Sequence, residues 1–405
     1  MALPAVSMGR PAPRPRGTPA RPAAIALATV LAALALASTA AAAPSRDFYG
    51  VVTQDGGPPA DGDLDTMRAG GVGSIRLLAH WAQIEEQEGT YDWSALDRSV
   101  RSAVNNGLRP MVFFWGTPRW AANRDGYACS AGCNVYAPAS AETRDAFARL
   151  AAAAAGRYGP GGEFWHEPEV ACPLPVPVLC PDGPEPPCHC DQPAPLRVWQ
   201  IWNEQNSRTY YAPVVNVAGY ADLLRRAANA IRSVDPGAEV VVGGMWGPNS
   251  VGSDGGRRVV TPVSLFLKRL YKVKGIKRSF DSWAIHPYAA TLGGVKRQLK
   301  SGRKIVKRAG DRKAGAWVTE IGWASDGPRN NPYVKGLEGQ ARLLTRSLSL
   351  IERRRRAYRV RGVFWYSWRD KAGGSAICDW CGNAGLRTRN GAAKPSWDAF
   401  VRVAR

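Results

Sequence analysis

After Ala43, the sequence contains no stretch that is apolar enough to cross a membrane. It also contains no Gly/Ser-rich linker, and the lack of a linker favours one large domain over two or three small ones. A glycine-rich phosphate-binding turn is missing after the first apolar run, where the residues TQDGG (53–57) match that pattern poorly. This mismatch disfavours a doubly wound open sheet.

Acidic side chains are scarce relative to basic ones. The 405 residues include 33 Asp and Glu but 54 Lys and Arg, which gives a formal net charge of +21. Much of the excess lies in residues 296–313 and 353–361, which are predicted to be outer helix faces and the lead into a strand. Such a surface attracts nucleic acid, an acidic polysaccharide or an anionic envelope. No aromatic residues alternate with the cations, so nucleic acid is not an expected partner. A solvated, arginine-rich surface is the favoured interpretation, and binding of an anionic glycan is the alternative.

The first 43 residues have the features of a targeting segment. Four arginines precede an uncharged Ala/Leu-rich run at residues 23–43, whose last residues are small enough for a signal-peptide cleavage site. Residues 1–43 are therefore predicted to be a secretory signal, and residues 44–405 the mature, secreted or cell-envelope-associated protein. An uncleaved membrane anchor is the alternative, because the run could nearly span a bilayer, although alanine is only weakly hydrophobic.

The eight cysteines all lie in pairs that are close in sequence. An even number of cysteines in an exported chain predicts disulfides that constrain loops. Zinc is the alternative at residues 188–190 (CHC) and at the CxxC of residues 378–381, but no second ligand pair accompanies either at a suitable spacing. The four pairs are Cys129/Cys133, Cys172/Cys180, Cys188/Cys190 and Cys378/Cys381.

Eight short runs of β-branched and aromatic residues alternate with longer amphipathic stretches rich in Ala, Leu and Arg. Eight strand–helix pairs in one undivided chain predict an α/β fold, a single (β/α)8 TIM barrel, with the doubly wound sheet as the alternative. The predicted strands are residues 48–53, 74–78, 109–114, 197–202, 239–243, 282–286, 316–320 and 361–365. The predicted helices are residues 63–69, 94–106, 141–158, 218–234, 262–274, 294–309, 337–355 and 394–403.

The barrel also predicts where the loops lie. Loops that follow strands lie on the catalytic face of a TIM barrel, and loops that precede strands lie on the opposite face. A Pro/Cys-rich insertion at residues 161–195 precedes the fourth strand, so we expect it on the far face or around the outside. Residues 123–140, 246–261, 322–336 and 369–393 follow strands and are expected to form the walls of the cleft.

The C-terminal ends of the predicted strands carry two carboxylates, Glu204 after the fourth strand and Glu320 at the end of the seventh. Cleavage of a glycosidic bond requires a carboxylic acid that protonates the leaving oxygen and a carboxylate that meets the oxocarbenium-like carbon. Tryptophans stack on the apolar faces of sugar rings, although each of those near the strand ends is equally typical of core or loop packing. The candidate substrate-binding residues are Arg76, Trp115, Asn203, His286, Tyr288, Trp365 and Trp368.

Three motifs on these strands resemble those of the clan of retaining glycoside hydrolases that fold as (β/α)8 barrels. They are WNEQN at 202–206, HPY at 286–288 and WVTEIGW at 317–323. Within the clan the chain is most similar to families 39 and 5, and GTPRW at 116–120 and WYSW at 365–368 favour family 39. The likeness extends from about residue 47 to residue 405. Gln205 departs from the common pattern, which has proline there, and the insertion at residues 161–195 also lies outside it.

The resemblance implies that Glu204 is the general acid/base and that Glu320 is the nucleophile of a covalent glycosyl intermediate. It also implies that Asn203 binds the sugar 2-hydroxyl and that Arg76 and Tyr288 donate hydrogen bonds to the nucleophile. Electrostatics agrees, because a cation and a hydroxyl keep Glu320 ionised, whereas indoles and a second carboxylate raise the pKa of Glu204. Retention predicts carboxyl groups roughly 5 to 5.5 Å apart, and inversion predicts about 6.5 to 9.5 Å.

The sequence therefore predicts an exported retaining glycosidase that acts by double displacement on a β-linked polysaccharide or oligosaccharide. Long strand-following loops that contain tryptophan predict an open cleft and endo action. No cofactor or metal is expected, and the oligomeric state is left open. The alternatives are a transglycosylase that uses the same glutamates and a non-catalytic barrel that binds envelope polysaccharide.

Overall fold

The computed structural model describes residues 43–53, 61–167, 195–248, 257–372 and 378–405, together with residues 9, 12, 59, 170, 253 and 254. The chain divides into two units, Met1–Pro44 and Ser45–Arg405. The strands and helices that are described all belong to the second unit.

Eight parallel strands form a closed barrel, as the sequence predicts. Each observed strand lies within three residues of its predicted bounds. The strands are β1 (Tyr49–Val52), β2 (Ser74–His80), β3 (Arg109–Trp115), β4 (Val198–Asn203), β5 (Glu239–Trp246), β6 (Ser282–His286), β7 (Gly315–Ile321) and β8 (Val360–Tyr366). Their order around the barrel is β1-β8-β7-β6-β5-β4-β3-β2, so each strand pairs with its neighbours in sequence and β8 closes on β1. A separate two-residue hairpin pairs Ser253–Asp254 with Arg257–Arg258.

Helices surround the barrel and follow the strands. The α-helices in the described ranges are α1 (Asp61–Ala69), α2 (Trp81–Ile84), α3 (Ser94–Asn105), α4 (Arg119–Arg124), α5 (Ala141–Tyr158), α6 (Val217–Val234), α7 (Val263–Leu270), α8 (Leu292–Arg308), α9 (Gly336–Tyr358) and α10 (Pro395–Ala404). Eight of them match the predicted helices. The short helices α2 and α4 escape prediction because a single turn or two shows no helical periodicity. In the described part of the chain, no helix is both long enough and apolar enough to span a membrane.

The strand residues alternate between the barrel interior and the helical layer. The outward-facing Trp283 packs against α8 at Gly302, where an added Cβ would approach the indole ring to 2.3 Å, so glycine permits this close contact. The barrel interior is filled by a small cluster of inward-facing residues, namely Val52, Met111, Val241, Ala284 and Phe364.

The predicted insertion is described only at its start. A short 3-10 helix, Glu163–His166, packs there against α5, and the Trp165 indole donates a 3.0 Å hydrogen bond to the Tyr158 carbonyl. Residues 168–169 and 171–194 lie outside the described residues, and so do four of the eight cysteines. The predicted position of the insertion therefore stays a prediction.

Two of the predicted disulfides are present. Cys129 is bonded to Cys133, and Cys378 is bonded to Cys381. The alternative interpretation of residues 378–381 as a zinc ligand pair is wrong, because a thiol in a disulfide is not available as a thiolate ligand. The CHC sequence at residues 188–190 lies outside the described residues.

Candidate active site

The C-terminal end of β4 has an unusual backbone conformation that turns Glu204 toward the barrel axis. Trp202 and Glu204 both have positive φ angles, of 74° and 46°, in the left-handed region that non-glycine residues rarely adopt. Two contacts hold this turn. The Trp202 indole donates to the Tyr210 carbonyl at 2.8 Å, and the Glu204 amide donates to the Gly244 carbonyl at 2.8 Å. Such strain costs about 1 to 3 kcal/mol per residue and is typical of functional sites.

A register shift in β5 supports the turn from the neighbouring strand. The shift lies between Val241 and Met245 and includes Gly243 and Gly244. The Tyr220 hydroxyl accepts from the Gly243 amide at 2.9 Å, and the Gln205 side-chain amide donates to the Gly243 carbonyl at 2.9 Å. Gln205 is fully buried. The glutamine that departs from the family pattern therefore links the residue after Glu204 to the irregular part of β5.

Glu204 and Glu320 face each other across the barrel mouth. An oxygen of each carboxylate and a ring nitrogen of His286 all lie within 4.8 Å of one another. The Nδ1 atom of His286 lies 2.7 Å from Oε1 of Glu204 and 3.5 Å from Oε2 of Glu320. The structure thus brings together two acidic residues that are far apart in sequence, and it places a histidine between them.

Two donors bind Glu320 from opposite sides. Arg76 Nη1 donates to Oε1 at 2.7 Å, and the Tyr288 hydroxyl donates to Oε2 at 2.8 Å. The same guanidinium donates through Nη2 to Oδ1 of Asn203 at 2.8 Å, and it lies over the Phe113 ring with its Cζ 3.8 Å from the ring centroid. Arg76 is almost fully buried, so its position is fixed by these contacts.

The electrostatic environments of the two glutamates differ. Burial and the nearby Glu320 raise the pKa of Glu204 well above its usual value, and Arg76 opposes this only in part. Burial also raises the pKa of Glu320, against our expectation from its donors alone, but Arg76 and Tyr288 act in the opposite direction. Because both donors bind Glu320, Glu320 is the carboxyl that ionises first. Burial also holds the pKa of His286 well below its usual value, so the ring is neutral at pH 7.

The group formed by Glu204, His286 and Glu320 also has the spacing of a metal site. Carboxylate and imidazole ligands suit several divalent cations. The fit is poor here, because the guanidinium of Arg76 forms a 2.7 Å salt bridge with Glu320 and places a permanent positive charge beside the ligand atoms. The arrangement therefore suits proton transfer better than metal binding.

The structure corrects the predicted roles of two tryptophans. Trp365 is fully buried on the outer side of β8, where it packs against Trp323 and donates to the Ala384 carbonyl at 3.2 Å. Trp368 packs edge-on against Trp397 of α10, with ring centroids 5.1 Å apart. Both indoles belong to the main hydrophobic core rather than to the cleft, so neither is a candidate for sugar stacking. The period-two alternation of β8 instead turns the next residue, Tyr366, inward.

Two other tryptophans lie nearer the carboxylates, the predicted Trp115 and Trp246 at the end of β5. Trp115 is partly exposed, packs against His80 at 5.6 Å and Tyr210 at 5.9 Å, and donates to the Tyr210 carbonyl at 3.2 Å. Trp246 packs against Tyr288 at 5.2 Å. These two indoles are the remaining candidates for contacts with a sugar ring.

Sequence reasoning missed three aromatic residues near the pair. Burial raises the pKa of Tyr210, and the negative charges of Glu204 and Glu320 raise it further, so Tyr210 lies within electrostatic reach of both carboxylates. Trp380 packs against Tyr288 with ring centroids 5.2 Å apart, and Tyr366 lies 6.4 Å from the same ring. Tyr210 and Trp380 lie in strand-following loops, where only the general position of the loop can be predicted from sequence.

Searches by sequence identify no relatives. No protein-family model matches the chain, and no curated protein matches it.

Comparison by structure finds many solved structures with the same fold. One is a family 39 glycoside hydrolase from the gut symbiont Bacteroides cellulosilyticus, with a TM-score of 0.60 and 22% identity over 89% of this chain and 64% of that chain. A β-xylosidase from Caulobacter crescentus has a TM-score of 0.56 and 18% identity, covering 89% of this chain and 68% of the other. A GH5_18 protein from Streptomyces cattleya has a TM-score of 0.55 and 16% identity, covering 88% and 80%.

These comparisons confirm the predicted likeness to families 39 and 5 at the level of the fold. The sequence identities are low, and the chain spans only 64% of the length of the family 39 protein. At these identities the likeness shows the fold alone.

Proposed function

We propose that the protein is an exported retaining glycosidase that hydrolyses β-linked polysaccharides or oligosaccharides. One observation carries the proposal: an oxygen of Glu204 and an oxygen of Glu320 lie within 4.8 Å of each other, and of these two carboxylates only Glu320 is bound by both Arg76 and Tyr288. So close an approach of the two carboxylates supports the retaining mechanism, which requires carboxyl groups roughly 5 to 5.5 Å apart, over the inverting mechanism, which requires about 6.5 to 9.5 Å.

In the first step the Glu320 carboxylate attacks the anomeric carbon of the sugar. The bond from that carbon to the glycosidic oxygen breaks, and the oxygen takes the proton of the Glu204 carboxylic acid as it leaves. The raised pKa of Glu204 supports this role, because it favours the protonated carboxyl that the first step requires. Arg76 and Tyr288 stabilise the negative charge on Glu320 before the attack and leave its oxygens oriented for it.

In the second step the Glu204 carboxylate removes a proton from water. The oxygen of that water attacks the anomeric carbon, the bond to Glu320 breaks, and the product regains the original configuration. Both glutamates return to their starting protonation states. Neutral His286, 2.7 Å from Glu204, orients this carboxyl in both steps without adding a charge.

The substrate class rests on the chain's own aromatic residues and on its structural neighbours. Trp115 and Trp246 offer apolar surfaces beside the carboxylates, which suit the faces of pyranose rings. The neighbours include a β-xylosidase and an exo-β-1,4-mannosidase, which supports a β-linkage. We predict endo action in an open cleft. The prediction is tested by measuring the lengths of the first products that are released from a polymer.

Export is supported by the alanine-rich segment at residues 23–43 and by the disulfides at 129–133 and 378–381. The N-terminal sequence of the protein recovered from a culture medium or cell envelope tests it. A chain recovered there that still begins at Met1 contradicts a cleaved signal.

The catalytic proposal is tested by chemical rescue. A panel of aryl β-glycosides and plant, bacterial and acidic polysaccharides first identifies a substrate. Glu320→Gly then abolishes turnover, and azide or formate in the vacated space restores part of it, giving a glycosyl azide in the case of azide. Glu320→Gln is the matched control, because its amide fills the space and prevents rescue. If no small anion restores turnover to the glycine variant, Glu320 is not the nucleophile.

Transfer to another sugar uses the same two carboxylates and differs only in the acceptor of the second step. Product analysis with and without an added acceptor sugar separates hydrolysis from transglycosylation. A barrel that only binds polysaccharide would show no turnover in either assay.

A further inference from the structure

Helix α8 carries an unusual concentration of positive charge. Its 17 residues, LGGVKRQLKSGRKIVKR, include no Asp or Glu. The side chain of Arg303 is buried and donates to the carbonyls of Ala314 and Arg312. The other cations of the helix are exposed, namely Lys296, Arg297, Lys300, Lys304, Lys307 and Arg308.

On another helix of the outer layer, α6, cations are paired with carboxylates, whereas the exposed cations of α8 are not paired within the part of the chain that the structure describes. On α6, Arg226 forms a 2.9 Å salt bridge with Asp222, and Arg232 forms a 2.8 Å salt bridge with Asp281. In the described ranges no carboxylate forms a salt bridge with an exposed cation of α8. The nearest acidic residue in sequence, Asp311, accepts a hydrogen bond from the Tyr271 hydroxyl. The charge of α8 is therefore not neutralised by the described parts of the protein.

The four lysines of α8 form a line, which we call the α8 stripe: Lys296, Lys300, Lys304 and Lys307. Residues four apart in a helix lie on one face about 6 Å apart along the axis. This repeat is of the same order as the length of one sugar unit. The stripe therefore matches an extended polymer that carries one acidic group per sugar.

The position of α8 also favours a glycan. The helix follows the end of β6, where His286 and Tyr288 belong to the candidate active site, so its N-terminal end lies at the catalytic face. No aromatic residue lies on α8 to stack with nucleic-acid bases. Its exposed face also lacks the large apolar side chains that insert a helix into a lipid surface.

We propose that the α8 stripe is a binding surface for an acidic polysaccharide, separate from the catalytic pair. Binding there holds the polymer along the outer wall of the barrel by matched charge, and it requires neither Glu204 nor Glu320. The surface raises the local concentration of an acidic glycan beside the catalytic face.

The test uses the purified protein with polygalacturonate, and with its fully methyl-esterified form as the uncharged polymer of the same backbone. We expect salt-sensitive binding to the acidic form only. The variant Lys300→Glu/Lys304→Glu/Lys307→Glu loses at least about tenfold in affinity. The control variant Arg68→Glu/Arg98→Glu/Arg402→Glu changes the net charge equally at exposed positions of α1, α3 and α10, and it loses less than about twofold.

Equal losses in the two triple variants would assign the binding to net charge alone and overturn the proposal. Tighter binding to double-stranded DNA or to anionic lipid vesicles than to polygalacturonate would also overturn it. If the glutamate triple variant does not fold, Lys300→Gln/Lys304→Gln/Lys307→Gln tests the same surface, with an expected loss in the same direction. Turnover of a small neutral aryl glycoside stays unchanged in these variants, so failure of this proposal is distinguishable from failure of the catalytic one.

Discussion

The hydroxyl of Tyr288 donates a 2.8 Å hydrogen bond to Oε2 of Glu320 and reaches it from the loop after β6. This bond lowers the pKa of Glu320 against the effect of burial. Removing it with Tyr288→Phe therefore raises the pKa of Glu320, so a higher pH is needed to ionise this proposed nucleophile. We expect the acidic limb of the pH–kcat/KM profile to move to higher pH. We also expect kcat/KM at the optimum to fall by about tenfold or more.

Tyr271→Phe is the matched control for that change. Tyr271 donates a 3.0 Å hydrogen bond to Asp311, which lies beyond the C-terminal end of α8, so the substitution removes the same kind of bond away from the carboxylate pair. Its pH profile should equal that of the unaltered protein. An unmoved acidic limb in Tyr288→Phe would show that Glu320 does not set that limb.

Glu204 is predicted to be the only proton donor to the leaving oxygen, so the effect of Glu204→Gln depends on the leaving group. With a poor leaving group, we expect kcat/KM to fall by roughly 10²- to 10⁴-fold, the usual contribution of general acid catalysis. With a dinitrophenyl glycoside, the leaving group needs no proton. The rate of the first step, in which the glycosyl intermediate forms, therefore falls much less. Pre-steady-state kinetics with both substrates measures the rate of the first step in each case. Equal losses of rate for the two substrates would show that Glu204 is not the general acid. The variant also loses the basic limb of the pH profile.

A substitution of Gln205 tests whether the irregular part of β5 controls the position of Glu204. Gln205→Leu leaves the buried Gly243 carbonyl without its 2.9 Å donor, which costs about 1 to 3 kcal/mol of unfolding free energy. Because the turn at Glu204 loses its link to β5, we also expect a lower kcat and a shifted basic limb, with KM little changed. Urea unfolding and pH profiles measure the two effects separately.

Gln340→Leu is the control for Gln205→Leu. Gln340 is also fully buried, and it donates to the carbonyls of Trp323 and Gly385 in the loops that follow β7 and β8, strands that are not adjacent to β4 in the barrel. Its loss destabilises the protein by a similar amount but leaves the basic limb in place. If the basic limb of the pH profile moved equally in both variants, Gln205 would be only a structural residue.

The sequence predicts the barrel well because the fold is encoded by repeated local patterns. Eight short runs of β-branched and aromatic residues, separated by amphipathic stretches, leave few alternatives in one undivided chain. The same logic places Glu204 and Glu320 at strand ends on one face of the barrel. What periodicity cannot predict is a local irregularity, such as the register shift at Gly243 and the left-handed turns at Trp202 and Glu204.

The incorrect roles of Trp365 and Trp368 have a physical cause. Sugar stacking was inferred from residue type and from nearness to a strand end, whereas the direction of a side chain on a strand is set by its parity. Phe364 faces the barrel interior, so Trp365 faces the helices and Tyr366 faces inward again. Trp380 could not be placed from sequence, because it lies in a loop whose conformation depends on tertiary contacts.

The disulfide between Cys378 and Cys381 brackets Trp380, and we expect it to affect turnover as well as stability. Both cysteines pack with Trp380 against Tyr288, which donates a hydrogen bond to Glu320, the proposed nucleophile. Cys378→Ala/Cys381→Ala removes the restraint on this loop, so kcat/KM should fall by roughly three- to tenfold through the altered position of Tyr288.

Cys129→Ala/Cys133→Ala is the control, because it removes a bond of similar sequence separation that packs instead against Tyr127 and Tyr136. Closing such short loops contributes roughly 2 kcal/mol in each case, so both variants should unfold at lower urea concentration while only the first loses activity. Equal activity in the two variants would show that Trp380 keeps its position without the bond and that the disulfide serves stability alone.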